Sequence, residues 1–339
     1  MPEGTAVAVS ARVGAVVVNY RTAEPILDQL SVWRHERRGA AHRLASVAIV
    51  DNDPGELDEL ESATDVRYIR LDGNYGYANA VNRGWRATEE PYVLLLNPDA
   101  RISLSAVDAL ASVLDTAPDV GAVAPLHLDS TDRVMNPYHT LPSWLDLIAH
   151  RTRVYRFGWA KQRVAAYFMR ELDGIDGDWP LTDVPQPPAS CLMLRRTSVE
   201  EDDPIDQRFP FLFSDVDLSR RLAAGGWRTL IVPAARCRHE PATSGRYLGA
   251  RGAAENHVGG YRYARKWEPR AGTETFRAVL LTELLLTARG SPGAQAAFWA
   301  LLRNRSIFDR PRPHEDPVRA HWPSPSLRGE PYSGHPAEE

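Results

Sequence analysis

The first 125 residues alternate short apolar runs with helical patterns, and this alternation most narrowly limits the possible folds. Five runs rich in Val, Ile and Leu have the length of buried strands: 13–18, 46–50, 66–71, 92–96 and 120–124. Strands separated by helix-length segments pair in parallel and are covered by their crossover helices. The pattern predicts an α/β domain with a mostly parallel, Rossmann-like central sheet flanked by helices.

Polar residues follow the second and fourth of these strands, where open α/β sheets bind their ligands. Asp51 can accept the imide N–H of uracil or thymine, although a residue in this place can instead close a turn. Asp99 can ligate Mg²⁺ or Mn²⁺, although Asn97-Pro98-Asp99 can also be a simple turn. In an extended chain, Asn97 and Asp99 would point to the same side.

The segment 74–82 begins in a turn and continues as a helix. Asn79 and Asn82 are three residues apart and therefore share a helix face. Asparagine is unfavourable inside helices because its amide competes for backbone hydrogen bonds. The pair thus predicts either a polar function or two solvent-facing side chains.

The second half begins with an irregular, aromatic and basic insertion at 130–186, followed by predicted strands at 190–195 and 228–232 and a helix at 217–224. Asp217 fits the first turn of that helix, where an acid is stabilised by the helix dipole. Asp215 precedes the helix and is the candidate general base. His239, after the last strand, is a candidate metal ligand.

Six short motifs occur in the order found in the family 2 glycosyltransferases, and the chain resembles their rhamnosyltransferase-like branch over 13–248. The motifs are Val-Val-Val-Asn-Tyr at 16–20, Val-Asp-Asn at 50–52, Asn-x-Gly-x-Ala-x-Ala-x-Asn at 74–82, Leu-Asn-Pro-Asp at 96–99, Asp-Val-Asp-Leu at 215–218, and His239. The resemblance implies an A-type nucleotide-diphosphosugar transferase fold and inversion at the anomeric carbon.

The resemblance also implies roles for individual residues. Asp215 would be the base, and Asp99 and His239 would hold a divalent ion, Mg²⁺ or Mn²⁺. The implied donor-binding residues are Asn19, Asp51, Asn74, Gly76, Asn79, Asn82 and Asn97. The donor would be a dTDP- or UDP-sugar, with rhamnose favoured by the branch. The acceptor would be a carbohydrate, a lipid-linked or a small-molecule hydroxyl in bacterial cell-surface polysaccharide, glycoconjugate or natural-product biosynthesis.

The chain departs from the family pattern at three places. Ser214 stands where the family commonly has Glu, which removes an acid beside Asp215. Pro188-Ala189-Ser190 replaces a Gly-Ala turn in the acceptor region. Asn97 replaces a first Asp of the metal motif, so we expect weak metal binding without the donor.

Two other functions fit parts of the pattern. A non-catalytic nucleotide-sugar-binding protein would explain Ser214 and Asn97, but it would not be expected to keep Asp99, Asp215 and His239. A sugar nucleotidyltransferase would need a glycine-rich phosphate loop after its first strand, where this chain has Asn19-Tyr20-Arg21-Thr22.

Composition and charge narrow the partners and the location. The net charge of -4 argues against nucleic acid as a partner. Cys191 and Cys237 are too few for a disulfide framework and are expected to be buried free thiols. Without a leader or a long apolar run, we expect a cytoplasmic protein with at most peripheral contact to the inner face of the membrane.

The predicted organisation is a glycosyltransferase domain at 1–248, a helical extension at 249–308 and a flexible tail at 309–339. The domain divides into a nucleotide-sugar half at 13–125 and an acceptor half at 126–248. The apolar stretch 276–286 is best explained as a packing helix, with an interfacial helix or a homodimer contact as alternatives.

Overall fold

A computed structural model describes residues 11–39, 41–52, 55–173, 180–199, 203–239, 249–287 and 291–303 of the chain. The predicted tail at 309–339 lies outside these residues. Within them, no helix combines the length and the apolar character that crossing a membrane requires.

The described strands form one sheet, in the order β3-β2-β1-β4-β8-β6-β9-β5, with β7 paired to β9. Their bounds are β1 (Val13–Asn19), β2 (Leu44–Asp51), β3 (Arg67–Arg70), β4 (Tyr92–Leu96), β5 (Ala100–Ile102), β6 (Val120–Leu128), β7 (Thr182–Asp183), β8 (Cys191–Arg195) and β9 (Arg228–His239).

Helices cover both faces of this sheet and form a separate layer in the C-terminal part. Their bounds are α1 (Ala23–Glu36), α2 (Tyr77–Arg86), α3 (Leu104–Thr116), α4 (Trp144–Arg151), α5 (Gly158–Tyr167), α6 (Ser214–Ala224), α7 (Gly249–Trp267), α8 (Arg270–Thr287) and α9 (Pro292–Arg303). The predicted α/β architecture with a helical C-terminal part is confirmed.

The sheet is parallel in its first half and mixed in its second. Strands β3, β2, β1 and β4 run parallel, as the alternating pattern predicts. Strand β8 is antiparallel to both β4 and β6, whereas β9 is parallel to β6 and antiparallel to β5 and β7. Because β8 is reversed, its first residue lies at the same edge as the last residues of β1, β2 and β4.

Side-chain alternation divides the core into two layers. Odd-numbered residues of β1 and β2, such as Val17 and Ile49, pack with α1 and α3. Even-numbered residues, such as Val18 and Val50, pack with α2 and α6. This parity decides which polar residues at the strand ends face the cleft. Cys191 and Cys237 are both free and buried, as predicted.

The C-terminal helices are packed onto the sheet-containing part of the chain. Helices α4, α7, α8 and α9 share one apolar core with Phe209, Phe213 and Val216, which flank the start of α6. Within the described residues, the predicted helical extension consists of α7, α8 and α9. The helical part therefore supports the segment that carries Asp215.

Candidate active site

A cleft of about 410 Å³ opens at the edge of the sheet where β1, β2, β4 and β9 end and β8 begins. One side of its lining is apolar, with Tyr77, Met135, Pro137, Phe211 and Leu212. The polar side is formed by Tyr20, Asn52, Asn97, Ser190, Ser214, Asp215 and His239. Of the residues predicted for the site, Asn97, Asp215 and His239 therefore lie together in the cleft wall.

Asp215 lies at the start of α6, and its carboxylate is held from two sides. The backbone N–H of Val216 donates to Oδ1 at 2.9 Å. The side chain of Gln186 contacts Oδ2 at 3.5 Å. Burial raises the pKa of the Asp215 carboxyl above its ordinary value, because a buried charge loses hydration. A raised pKa strengthens a carboxylate as a base.

Helix α6 begins three residues earlier than predicted, so Asp215 lies inside its first turn. Phe213 at the N-cap has φ 67°, and no side chain caps the helix. The backbone at Phe213 is left-handed, and α6 begins at the next residue. A left-handed non-glycine residue cannot be predicted from the hydrophobic pattern, so the sequence placed the start of the helix too late. Asp217 lies in the first turn of α6, as predicted, although the N-cap position itself is Phe213.

Asp217 is fully buried and ties α6 to α7. Its carboxylate pairs with Lys266 at 2.7 Å and with Arg221 at 3.1 Å. The indole Nε1–H of Trp267 donates to it at 2.8 Å. Because all these partners lie inside the fold, Asp217 joins α6 to α7, and its side chain is not part of the cleft lining.

Asp99 and His239 form a pair at the edge of the cleft. Pairing of β5 with β9 places Ala100 opposite His239, and His239 Nε2 is 3.4 Å from Asp99 Oδ1. That Oδ1 atom is buried and accepts no hydrogen bond within the described residues. The unsatisfied carboxylate oxygen is a donor that Mn²⁺ and Mg²⁺ prefer, and the imidazole nitrogen beside it suits a transition metal ion such as Mn²⁺ better than Mg²⁺.

The described part of the chain contains no group of three or more His, Cys, Asp or Glu side chains placed around a common metal position. Asp99 and His239 would thus hold an ion only together with further ligands. Asn97 and Asp99 are separated by a turn, in which the N–H of Ala100 donates to the carbonyl of Asn97 at 3.1 Å. The extended geometry expected for this pair is therefore replaced by a turn, with Asn97 in the cleft.

Asn19 and Asp51 lie behind the cleft and are fully buried. Asn19 Nδ2 donates to Asp51 Oδ1 at 2.8 Å, and the Tyr68 hydroxyl donates to Oδ2 at 2.6 Å. Burial and this hydrogen bond raise the pKa of Tyr68. Tyr20 and Asn52, which follow these two residues, are the ones that line the cleft.

A chain of amide hydrogen bonds fixes the turn at 74–76. Asn52 Nδ2 donates to Asn74 Oδ1 at 2.9 Å, and the N–H groups of Tyr75 and Gly76 donate to Asn52 and Asn74. Gly76 has φ 83°, and a Cβ there would lie 2.9 Å from the carbonyl oxygen of Pro210. Glycine is required on both counts.

Asn79 and Asn82 are used to hold the segment that precedes α6. Asn82 is fully buried, donates to Asp203 and to the Ile205 carbonyl at 2.8 Å, and accepts from the Ile205 N–H at 3.0 Å. Asn79 contacts Gln207 at 3.3 Å. Neither lines the cleft, and donor binding by these two residues stays a prediction.

Ser190 is supported by a histidine that sequence reasoning did not single out. His127 Nδ1 contacts the Pro125 carbonyl at 3.2 Å, so Nδ1 carries the proton and Nε2 accepts from the Ser190 hydroxyl at 3.0 Å. Burial and the neighbouring His239 lower the pKa of His127 to about 3, which keeps the ring neutral. No periodic pattern could have indicated this pair, because β6 is apolar on both faces.

The chain matches the family described as glycosyl transferase family 2 over residues 25–176. It is 30% identical over 270 residues to the N-acetylglucosaminyl-diphospho-decaprenol L-rhamnosyltransferase of two Mycobacterium tuberculosis strains, covering 71% of this chain and 85% of the relative. The chain belongs to the family 2 glycosyltransferases, in their rhamnosyltransferase-like branch, and is a glycosyltransferase. The predicted A-type fold is thereby confirmed.

Two solved structures are similar at lower identity. The mannosyltransferase PcManGT from Pyrobaculum calidifontis, in complex with GDP-Man and Mn²⁺, has a TM-score of 0.47 and 18% identity, over 88% of this chain and 77% of that one. GalNAc-T7 with UDP, GalNAc and Mn²⁺ has a TM-score of 0.47 and 12% identity. That match covers 68% of this chain and 44% of the other.

Proposed function

We propose that this glycosyltransferase is an inverting, metal-dependent enzyme that transfers a sugar, with rhamnose favoured, from a dTDP- or UDP-sugar to an acceptor hydroxyl. One observation carries the proposal. A single cleft contains the Asp215 carboxylate, with its raised pKa, and is bordered by the Asp99–His239 pair. A base and a position for a divalent ion at one cleft are what metal-assisted displacement of a nucleoside diphosphate requires.

In this proposal Asp215 removes the proton of the acceptor hydroxyl. The hydroxyl oxygen forms a bond to the anomeric carbon as the bond from that carbon to the diphosphate oxygen breaks, which inverts the configuration. The Val216 N–H and Gln186 orient the carboxylate for this step. Asp99 and His239 would hold the divalent ion, which neutralises charge on the diphosphate when bound.

The donor nucleotide would lie over the ends of β1 and β2. Tyr20, Asn52 and Asn97 offer cleft-facing groups there, and Asn19, Asp51, Asn74 and Gly76 fix the surrounding backbone. A direct bond from Asp51 to the pyrimidine would need its buried carboxylate to become accessible. The alternative within the same proposal is that Asp51 shapes the pocket through Asn19 and Tyr68.

The mycobacterial relative is named for a diphospho-decaprenol acceptor that carries N-acetylglucosamine. We therefore propose a polyprenyl-diphosphate-linked sugar as the acceptor, in bacterial cell-surface polysaccharide or glycoconjugate biosynthesis. The 30% identity over most of both chains supports this class of acceptor.

The test is release of free nucleoside diphosphate from a panel of nucleotide sugars, with and without Mn²⁺ or Mg²⁺. We expect release from a dTDP- or UDP-sugar, dependent on the metal and accelerated by a polyprenyl-diphosphate N-acetylglucosamine analogue. Unlabelled UDP, dTDP and GDP are then compared as competitors. If GDP competes best, the pyrimidine assignment is wrong, and metal-independent turnover would contradict the role of Asp99 and His239.

A further inference from the structure

Three aromatic side chains are exposed within five residues of the predicted acceptor half, 126–248. Tyr155, Phe157 and Trp159 have 46%, 62% and 49% of their surface exposed. They occupy a short turn and the first residues of α5. Single exposed apolar side chains are ordinary, whereas several large ones grouped this closely indicate an interaction site.

The charged residues around these aromatic residues in the sequence are all basic. Residues 151–170 contain six Arg or Lys and no Asp or Glu. Some of these cations have partners in the fold, such as Arg163, which pairs with Asp146 at 2.8 Å. Among the described residues, Arg156 and Lys161 form no ion pair, are exposed, and lie within two sequence positions of one of these aromatic residues. Their charges are therefore available to a partner.

An ion pair joins this segment to α8, which has two more exposed apolar side chains. Arg153 in the aromatic turn pairs with Glu283 of α8, at 3.2 Å. In the following turn of α8, Leu285 and Leu286 are 62% and 63% exposed. We name the surface formed by Tyr155, Arg156, Phe157, Trp159, Lys161, Leu285 and Leu286 the aromatic-basic face.

We propose that the aromatic-basic face docks onto the surface of an anionic lipid bilayer. Tyr and Trp rings settle at the headgroup level, where an apolar body and a polar tip are both accommodated. Phe157 and the two leucines add apolar area that can enter the boundary of the acyl chains. Arg156 and Lys161 supply attraction to anionic headgroups.

A second copy of the chain fits this face less well. A two-fold dimer places the same patch of each copy together. Arg156 and Lys161 of both copies would then be brought close, without a nearby unpaired acid from 151–170 to compensate them. The charge complementarity thus favours a negatively charged surface.

Helix α5 connects the face to the active site. Its last residue, Tyr167, accepts a hydrogen bond from the Thr140 N–H at 2.9 Å, and the charge of Asp215 contributes to the raised pKa of its phenol. Tyr167 lies eight positions after Trp159 in the helix, a rise of about 12 Å. Docking would hold the bilayer about one length of α5 from Tyr167, whose phenol is influenced by the Asp215 charge. This step rests on the proposed function and suits its lipid-linked acceptor.

The experiment is flotation of the full chain with phosphatidylcholine vesicles that either contain or lack phosphatidylglycerol. We expect binding to the anionic vesicles that weakens at high salt. The variant Phe157→Ser/Trp159→Ser should lose most of this binding. The variant Arg156→Gln/Lys161→Gln should weaken it about tenfold or more, because each cation near an anionic surface strengthens binding severalfold.

The matched control is Trp299→Ser, which removes an exposed aromatic ring on α9, 52% exposed, and should leave vesicle binding unchanged. Equal binding by the wild type and both face variants would overturn the proposal. So would a dimeric wild type that the face variants make monomeric without any binding to vesicles. Donor turnover without vesicles is measured in parallel, so a failure of the proposed function is distinguishable from a failure of docking.

Discussion

Within the described residues, the Asp215 carboxylate forms no ion pair, and its two contacts serve to orient it. Replacing it with Asn keeps the size and the Val216 contact but removes the base. We expect Asp215→Asn to keep donor affinity and melting temperature close to the wild type while kcat falls by about 10² or more. An Asp215→Asn enzyme with near-normal turnover would exclude Asp215 as the base.

Asp99 has a buried oxygen that accepts no hydrogen bond from the described residues. We expect Asp99→Ala to bind UDP or dTDP weakly and with no response to Mn²⁺, because the proposed site loses its carboxylate ligand. Calorimetry with and without Mn²⁺ measures this. Asp28→Ala, which removes an exposed acid on α1, is the control and should retain the metal response. Metal-dependent affinity that survives in Asp99→Ala would contradict the assignment.

Strand-end chemistry was predictable from the sequence, but the direction of each side chain was not. The polar residues at the ends of β1 and β2 indicate a site. Side chains alternate between the two faces of the sheet, so Asn19 and Asp51 share the parity of the layer that packs with α1, whereas Asn52 has the opposite parity and lines the cleft. Asn79 and Asn82 do share a helix face. Their amides are used by the segment 203–207, a tertiary contact that no local pattern can report.

At the scale of elements, α6 is joined to α7 through a buried ion pair. Asp217→Asn would remove the negative charge that pairs with Lys266 and Arg221. Removing one partner of a buried pair costs about 3 kcal/mol or more. We therefore expect a clearly lower free energy of unfolding in urea, with a kcat loss smaller than that of Asp215→Asn. A well-folded but inactive Asp217→Asn would reverse the roles of the two acids.

Close approach of α7 to the turn before α6 positions the base. A Cβ on Gly259 would lie 3.0 Å from Phe213 Cδ2 and 3.2 Å from the Leu212 carbonyl oxygen. We expect Gly259→Ala to shift this turn by a few tenths of an ångström and to lower kcat about three- to tenfold. Donor affinity should be unchanged, because the β1 and β2 ends are not involved.

Gly158→Ala provides the matched comparison, since a Cβ there meets no atom within 4 Å. It should have wild-type kcat. If Gly259→Ala and Gly158→Ala have the same kcat, the packing of α7 does not determine where Asp215 lies.

The whole fold was more predictable than its details, for a physical reason. Buried β-branched runs and crossover helices leave few alternatives, so the strands from β1 to β4 follow the predicted segments. The reversal of β8 and the pairing of β9 with both β6 and β5 depend on long-range contacts across the insertion. The left-handed Phe213 and the common core of α4 with α7, α8 and α9 arise in the same way.

Three histidines around the helical part should make the whole molecule sensitive to acid. Burial lowers the pKa of His139 to about 4, of His150 to about 3 and of His257 to about 4. In the unfolded chain, the same three histidines bind protons with the ordinary histidine pKa of about 6.5. The free energy of unfolding should therefore fall as the pH drops below about 6.5, by about 1.4 kcal/mol per pH unit for each histidine.

His150 offers the sharpest check, because its ring packs against Tyr167 and Phe168, with centroids 5.6 and 4.8 Å away. A Phe in its place keeps an aromatic ring among aromatic neighbours but binds no proton. Urea unfolding of the wild type and His150→Phe between about pH 6.5 and 5, where carboxylates contribute little, gives the two slopes. We expect the slope of His150→Phe to be smaller by about 1.4 kcal/mol per pH unit, because one proton fewer is taken up on unfolding. Equal slopes would mean that His150 binds its proton equally well in the folded and unfolded chains.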